Sequence, residues 1–184
     1  MAIDATILMS GGIDSTACAH FLKEQGSSSL HGVFFDYSQA AAAHERNSVL
    51  SLAKRLTIPI SVYRVTGSDS FSQGELVGRN AFLISATLFL SRCRSGLLAI
   101  GIHAGTPYFD CSEPFVEMMA RVVAEHTSGR VSLVTPFLHW SKRDVFNYFV
   151  SAGLPLNLTY SCEAGTQPVC GRCASCRDRR ALGC

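Results

Sequence analysis

Residues 5–16 read Ala5-Thr6-Ile7-Leu8-Met9-Ser10-Gly11-Gly12-Ile13-Asp14-Ser15-Thr16, and this stretch decides the fold. An apolar run of strand length stops at a glycine pair, and the chain to about residue 25 then carries apolar side chains at helical spacing. Strand, glycine turn and helix in direct succession open an α/β unit. Paired glycines let the backbone approach a phosphate closely, and the helix N-terminus adds free N–H groups and a partial positive charge. The same residues fit a plain strand-to-helix turn with Ser10 or Asp14 as its cap. Three hydroxyls and a carboxylate around the glycines, on Ser10, Ser15, Thr16 and Asp14, favour phosphate. The string lacks the Gly-Lys-Ser/Thr ending of the triphosphate-cleaving loop and the spacing of a dinucleotide fingerprint.

Outward from this loop, strands and helices alternate. Residues 30–35 form a second apolar run, and 40–56 a helix with Leu50, Ala53 and Leu56 on one face and Lys54 and Arg55 off it. Residues 59–65 read as a third strand rich in β-branched side chains. Residues 66–78 are polar and Gly/Ser-rich, a long link and a candidate lid. Residues 79–92 are apolar nearly all round, which predicts a largely buried helix, and 97–100 give a fourth strand ending at Gly101. A loop follows over 102–112, then a helix over 114–125 with proline in its first turn, a strand over 131–134, and a helix opened by Ser141-Lys142-Arg143-Asp144 as a capping box with Asp in the Glu position. Such alternation predicts a Rossmann-like α/β fold, a parallel sheet with helices on both faces and ligands at the carboxyl ends of its strands. Residues 1–155 make up this α/β domain, and 156–184 a small cysteine-rich segment packed on the same body.

The chain has 184 residues, 47% hydrophobic and 16% charged, with a formal net charge of +2. That composition excludes disorder, and the small charge argues against a nucleic-acid partner. No apolar run reaches the roughly 20 residues of a membrane span, and Met1-Ala2-Ile3-Asp4 does not open a signal peptide, so a cytoplasmic protein is expected. Four of the eight cysteines, Cys162, Cys170, Cys173 and Cys176, crowd together while Cys18, Cys93, Cys111 and Cys184 are scattered. Two overlapping Cys-x-x-Cys pairs plus a distal thiolate suit a tetrahedral metal site with no open position, hence a structural one. Zinc fits best, and an iron–sulfur cluster fits the same ligand count.

Ser-Gly-Gly-x-Asp-Ser after the first strand resembles the pyrophosphatase-loop (PP-loop) ATP enzymes of the adenine nucleotide alpha hydrolase type, which adenylate a substrate and release pyrophosphate. They include thiouridylases, amidotransferase-type synthetases and the 7-cyano-7-deazaguanine synthase (QueC-like) family. The chain is most similar to the last, through Phe35-Asp36-Tyr37-Ser38-Gln39, Gly78-Arg79-Asn80, Tyr108-Phe109-Asp110-Cys111 and the terminal cysteines, in the same order over nearly the whole length. The resemblance implies that ATP and Mg2+ are used to adenylate the carboxylate of 7-carboxy-7-deazaguanine, that ammonia converts the adenylate to an amide, and that a second ATP gives the nitrile. It implies ATP contacts by Ser10, Gly11, Gly12, Ile13, Asp14, Ser15, Thr16, Asp36 and Gln39, catalytic roles for Asp14, Lys142 and Arg79, and a substrate pocket from Arg79, Asn80, His103, Tyr108 and Asp110. Asp110 is the expected acceptor for the guanine-like edge. Zinc on the four clustered cysteines and a homodimer are further family expectations.

Lys142 also reads as a solvated first-turn residue, Asp36 as a turn former, and Cys111 as buried filler. The chain departs from the family at the pocket mouth. Residues 66–78 are shorter than their counterpart, 101–108 replace a longer and more acidic loop, and Ala40 to Ala43 replace a polar stretch. A shorter lid admits a larger nucleophile, so an alternative is capture of the adenylate by an amine of a partner protein, as in synthase-like paralogues of bacterial antiviral defence systems. A tRNA-thiolating enzyme is a further alternative, but it calls for a cysteine pair beside the ATP site and a more basic surface.

Overall fold

The structure, a computed structural model, describes residues 3–67, 71, 74–91 and 93–184. Among the described residues five strands and five α-helices alternate and a sixth helix follows: β1 (Ile3–Leu8), α1 (Ile13–Glu24), β2 (Ser27–Asp36), α2 (Ala42–Leu56), β3 (Ile60–Arg64), α3 (Arg79–Leu90), β4 (Gly96–Ala99), α4 (Glu113–Thr127), β5 (Val131–Val134), α5 (Lys142–Ser151) and α6 (Ala174–Leu182). All neighbouring strands pair in parallel, in the order β3-β2-β1-β4-β5. The order reverses between β1 and β4, and the loops leaving those two adjacent strands depart to opposite sides, opening a crevice at the carboxyl edge.

Strand alternation sorts the side chains into two cores. Ala5, Ile7 and Met9 of the first strand and its end join Leu97 and Ala99 on the face covered by α1, α2 and α5, where Ala17, Leu52, Val145 and Phe149 are buried. Leu8, Leu98 and Ile100 face the other way, against Ile84 of α3 and Phe115, Met119 and Val123 of α4. The central strands β1 and β4 are therefore apolar on both sides, as strands covered on both faces require. The expected Rossmann-like architecture is present, with helices on both faces.

Local signals set several boundaries. Gly12 is the N-cap of α1 and contributes no side-chain hydrogen bond, so neither Ser10 nor Asp14 caps this helix. The capping box of α5 is formed, with Asp144 N–H donating to Ser141 Oγ at 3.1 Å and Ser141 N–H to Asp144 Oδ2 at 3.0 Å. Three features differ from the sequence reading. β2 begins at Ser27 because pairing with β1 extends it back through polar residues. The loop expected over 102–112 contains a 3-10 turn, Phe109–Cys111. Helix α3 is not buried all round: Asn80, Ile84 and Thr87 face inward, whereas Phe82 and Phe89 are exposed. It packs on the sheet and α4 along one side, and no described element covers the other. The expected lid over 66–78 falls partly on residues 68–70, 72 and 73, and the expected helix end on Arg92, outside the described residues. Among the described residues no helix is long and apolar enough to cross a membrane.

Candidate functional site

A cleft of about 310 Å³ opens at the carboxyl edge of the sheet, and three stretches of chain wall it. The first is the loop after β1. Gly11 has φ +78°, and a Cβ there would lie 2.8 Å from Glu45 O and 2.9 Å from Ser48 Cβ, so only glycine lets α2 sit against this turn. Ser10 N–H donates to Ser15 Oγ at 3.1 Å, while the Ser10 and Ser15 hydroxyls are 3.2 Å apart, which folds the loop back on the first turn of α1. Thr16 is buried and donates to Gly12 O at 2.7 Å. Ser10, Ile13, Asp14 and Ser15 line the cleft, whereas Gly11, Gly12 and Thr16 support it from behind.

From the first turn of α1, Asp14 meets Lys142 at the start of α5, with Nζ 2.7 Å from Oδ1 and 2.5 Å from Oδ2. These residues are 128 apart in sequence and come together because β4 and β5 carry the chain back beside β1. Both are about a quarter exposed and line the cleft, which excludes the solvated reading of Lys142. His103 Nε2 is 3.9 Å from Asp14 Oδ2. Its Nδ1 lies 2.7 Å from Ala104 O, and since a carbonyl only accepts, Nδ1 carries the proton. Gly101 allows this approach: a Cβ there would lie 2.9 Å from Asp14 O.

The second wall runs from the end of β2 to the start of α3. Gln39 is held inside it, its Oε1 accepting from Tyr37 N–H at 2.9 Å and its Nε2 donating to Phe35 O and to Glu45 Oε2 at 2.8 Å. Burial pushes the Glu45 carboxyl above its ordinary range, and Gln39 and Arg79 pull against that shift. Burial likewise raises the Tyr37 hydroxyl, with Arg79 opposing. Tyr37, Gln39, Glu45, Arg79 and Asn80 all line the cleft. Asp36 does not; it pairs with Arg64 of β3 at 3.2 Å and accepts from Ser38 N–H, as a turn former does.

Asp110 lies beneath this wall. Its Oδ2 accepts from Asn80 N–H at 3.2 Å and its carbonyl from Asn80 Nδ2 at 2.9 Å, so it satisfies the N-terminus of α3 and is 8% exposed. Neither Asp110, the expected acceptor for a guanine-like edge, nor Tyr108 lines the cleft. The Cys111 thiol, pushed up to about 11 by burial and by Asp110, is held neutral there.

The third wall was not anticipated. Tyr160 N–H donates to Gly11 O at 3.0 Å and its ring stacks on His44 at 4.8 Å, which docks the C-terminal segment on the phosphate loop. From there Tyr160, Ser161, Glu163, Ser175, Asp178 and Arg179 line the cleft. Arg179 Nε donates to Ser161 Oγ at 2.7 Å and its Nη2 to Thr159 Oγ1. Helix α6, which sets these side chains, starts at the cysteine cluster: Cys173 is its N-cap and accepts from Cys176 N–H.

The sulfurs of Cys162, Cys170, Cys173 and Cys176 all lie within 4.8 Å of one another. A tetrahedron with metal–sulfur bonds of about 2.3 Å has sulfur–sulfur edges near 3.8 Å, so a small contraction seats a metal ion. Cys170, Cys173 and Cys176 N–H groups point at the sulfurs of Cys162, Cys170 and Cys173 at 3.3–3.4 Å, donors suited to thiolates. Burial opposes ionisation of Cys162, but N–H donation from Cys170 and Thr166 prevails and brings its thiol to about 5. The residues present therefore fit a four-thiolate metal centre.

Comparison with known proteins agrees with this arrangement. The family model of the queuosine biosynthesis protein QueC matches residues 4–79 and 67–182, two stretches that overlap where the shortened lid was read. The 7-cyano-7-deazaguanine synthase of Methanoculleus marisnigri is 33% identical, covering 96% of this chain and 91% of its own. Those of Persephonella marina and Campylobacter curvus are 31% and 30% identical, covering 94% and 95% of this chain and 88% and 90% of theirs. The alignment with the first runs to 204 positions against 184 residues here, so that relative has residues this chain lacks. Among solved structures, the NH3-dependent NAD synthetase of Campylobacter jejuni is similar with a TM-score of 0.54 at 15% identity, covering 86% of this chain and 69% of that one. The U34-tRNA thiolase NcsA of Methanococcus maripaludis, with its 4Fe–4S cluster, gives 0.53 at 14%, covering 98% and 72%. These two likenesses concern the fold alone. With its sequence matched almost end to end, the chain belongs to the family of the queuosine biosynthesis protein QueC.

Proposed function

We propose that this chain is an ATP-dependent ligase that adenylates the carboxylate of 7-carboxy-7-deazaguanine for attack by a nitrogen nucleophile. The observation that carries the reading is the contact of Lys142 with both oxygens of Asp14, 2.5–2.7 Å, on the phosphate-type loop at the strand-order switch. An ammonium held there by a carboxylate has a fixed position, so it can stabilise charge that develops at the α-phosphate without reorganising. The loop hydroxyls of Ser10 and Ser15 and the free N–H groups of α1 suit the departing pyrophosphate. Mg2+ supplies further neutralisation of the phosphates.

In the proposed reaction a substrate carboxylate oxygen attacks the α-phosphorus, and the bond to pyrophosphate breaks. The nitrogen nucleophile then attacks the acyl carbon and loses a proton, and AMP leaves carrying that oxygen. A second ATP dehydrates the amide to the nitrile when ammonia is the nucleophile. In this reading Arg79, which lines the cleft at the N-terminus of α3, pairs with the anionic substrate. The similarity to the curated synthases supports this substrate and product. In this reading residues 1–155 hold the nucleotide and 156–184 hold structural zinc on the four cysteines, which fix the third wall. The homodimer expected of the family is part of the proposal and is checked by light scattering.

The test is mass spectrometry of products formed from ATP, Mg2+ and 7-carboxy-7-deazaguanine, with and without ammonium and with candidate partner proteins added. An amide or nitrile that depends on ammonium supports the synthase reading. A mass increase on a partner protein would instead make the chain a conjugating enzyme, the outcome to which the shortened loops at the pocket mouth point. AMP formation with neither product would overturn both.

A further inference from the structure

Glu163 belongs to no expected functional set, yet its side chain lines the cleft beside Ser175, Asp178 and Arg179. It follows Cys162 of the cysteine cluster and folds over the start of α6, where its Oε1 accepts from Ser175 N–H at 3.0 Å and Ser175 Oγ at 2.9 Å. Among the described residues its Oε2 has no partner, and no ion pair neutralises it. The nearby Arg179 is committed to Ser161 and Thr159. The carboxyl group is thus fixed in place at the start of α6 by one oxygen, and the other is left without a partner at the cleft wall.

An unpaired carboxylate is a poor neighbour for the anionic ends of the two proposed ligands, the ATP phosphates and the substrate carboxylate. It suits a part of the ligand that carries N–H donors. A 7-deazaguanine ring presents two side by side, N1–H and the 2-amino group, at the end of the ring system opposite the 7-carboxylate. One end can therefore meet the phosphate loop while the other meets a different wall. Asp110, by contrast, is buried beneath α3 and does not line the cleft. We propose that Glu163 is the specificity residue of the site and accepts the N1–H and 2-amino donors of the deazaguanine. The proposal rests on the function proposed above.

The test measures pyrophosphate release by the metal-loaded protein and by Glu163→Gln, with 7-carboxy-7-deazaguanine and with its analogue lacking the 2-amino group, 7-carboxy-7-deazahypoxanthine. The glutamine keeps an acceptor for Ser175 and loses the charge. Wild-type protein is expected to show a KM for the analogue about tenfold or more above that for the natural compound. Glu163→Gln is expected to raise KM for the natural compound roughly 10- to 100-fold, to narrow the gap between the two compounds, and to leave KM for ATP and the bound metal unchanged. Equal use of both compounds by wild-type protein overturns the proposal without any variant. So does an unchanged KM in Glu163→Gln, which makes the residue a helix cap only, or a parallel rise in KM for ATP, which makes it a ligand of the nucleotide or its Mg2+. Wild-type protein that releases no pyrophosphate with either compound defeats the functional reading itself, and this inference with it.

Discussion

The two walls that flank the phosphate loop are built on different principles. On the sheet side, the loop after β1 and the start of α5 are placed by regular structure: parallel pairing sets the strand ends, and Gly11 and Gly101 let backbone pack against backbone. On the far side, the C-terminal segment has little regular structure of its own apart from α6. It meets the body through contacts such as Tyr160 to Gly11 and Arg143 to Ala181, and is tied to itself by Arg179 to Ser161 and by the clustered cysteines. The first wall follows from the fold, while the third, the C-terminal segment, would be cross-linked by a metal on its four cysteines. Asp14 and Lys142, proposed to act at the phosphates, sit on the first, and Glu163, proposed to choose the substrate, sits on the third.

If this division is right, breaking the cross-link has the largest effect. Cys173→Ser removes one thiolate while keeping an acceptor at the N-cap of α6; it is expected to lower stability by about 3–5 kcal/mol and to reduce bound metal. Calorimetry together with metal analysis checks both, and unchanged values for either would show that the wall stands without the centre. Asp14→Ala is next: it frees Lys142 and is expected to slow pyrophosphate release roughly 10²–10³-fold. Thermal stability should change little, because the pair is partly exposed. Circular dichroism melting and a pyrophosphate assay separate the two effects.

Smaller changes sharpen the comparison. Gly101→Ala pushes a methyl group to 2.9 Å from Asp14 O, so the β4 loop or the first turn of α1 must shift. The expected loss is about 1–3 kcal/mol, and turnover should fall without any change in metal content. A Gly101→Ala protein that lost metal would mean the two walls are not independent. Ser141→Ala removes the N-cap hydroxyl beside Lys142 and is expected to lower stability by about 1 kcal/mol, readable as a shift of the urea midpoint, with metal content again unchanged.

The legibility of the two walls differed in the same way. Residues 5–16 announced strand, turn and helix because their signals are local, and the capping box announced α5 for the same reason. The four cysteines were readable from spacing alone. What spacing does not show is which way the cysteine-rich segment lies, so no local signal marks Tyr160, Glu163, Ser175, Asp178 and Arg179, which line the cleft. An overlooked local signal was Cys173 at the start of a short Arg-rich stretch, which is the N-cap of α6. Asp110 shows the converse. A carboxylate in a family-like motif reads as a ligand contact, but the free N–H of Asn80 takes it, and only the folded chain brings the 3-10 turn under α3. Helix α3 read as buried because apolar residues surround it; exposure of Phe82 and Phe89 depends on which neighbours arrive, which periodicity does not encode.

A substrate carboxylate is proposed to attack the α-phosphate of ATP at the loop where Asp14 meets Lys142. The measurement that tests it most directly is isotope transfer from 7-carboxy-7-deazaguanine labelled with 18O in the carboxylate, in the presence of ATP, Mg2+ and ammonium. Adenylation predicts that each AMP formed carries one labelled oxygen and that inorganic pyrophosphate carries none. Label appearing in orthophosphate alongside ADP, or AMP free of label, would contradict it.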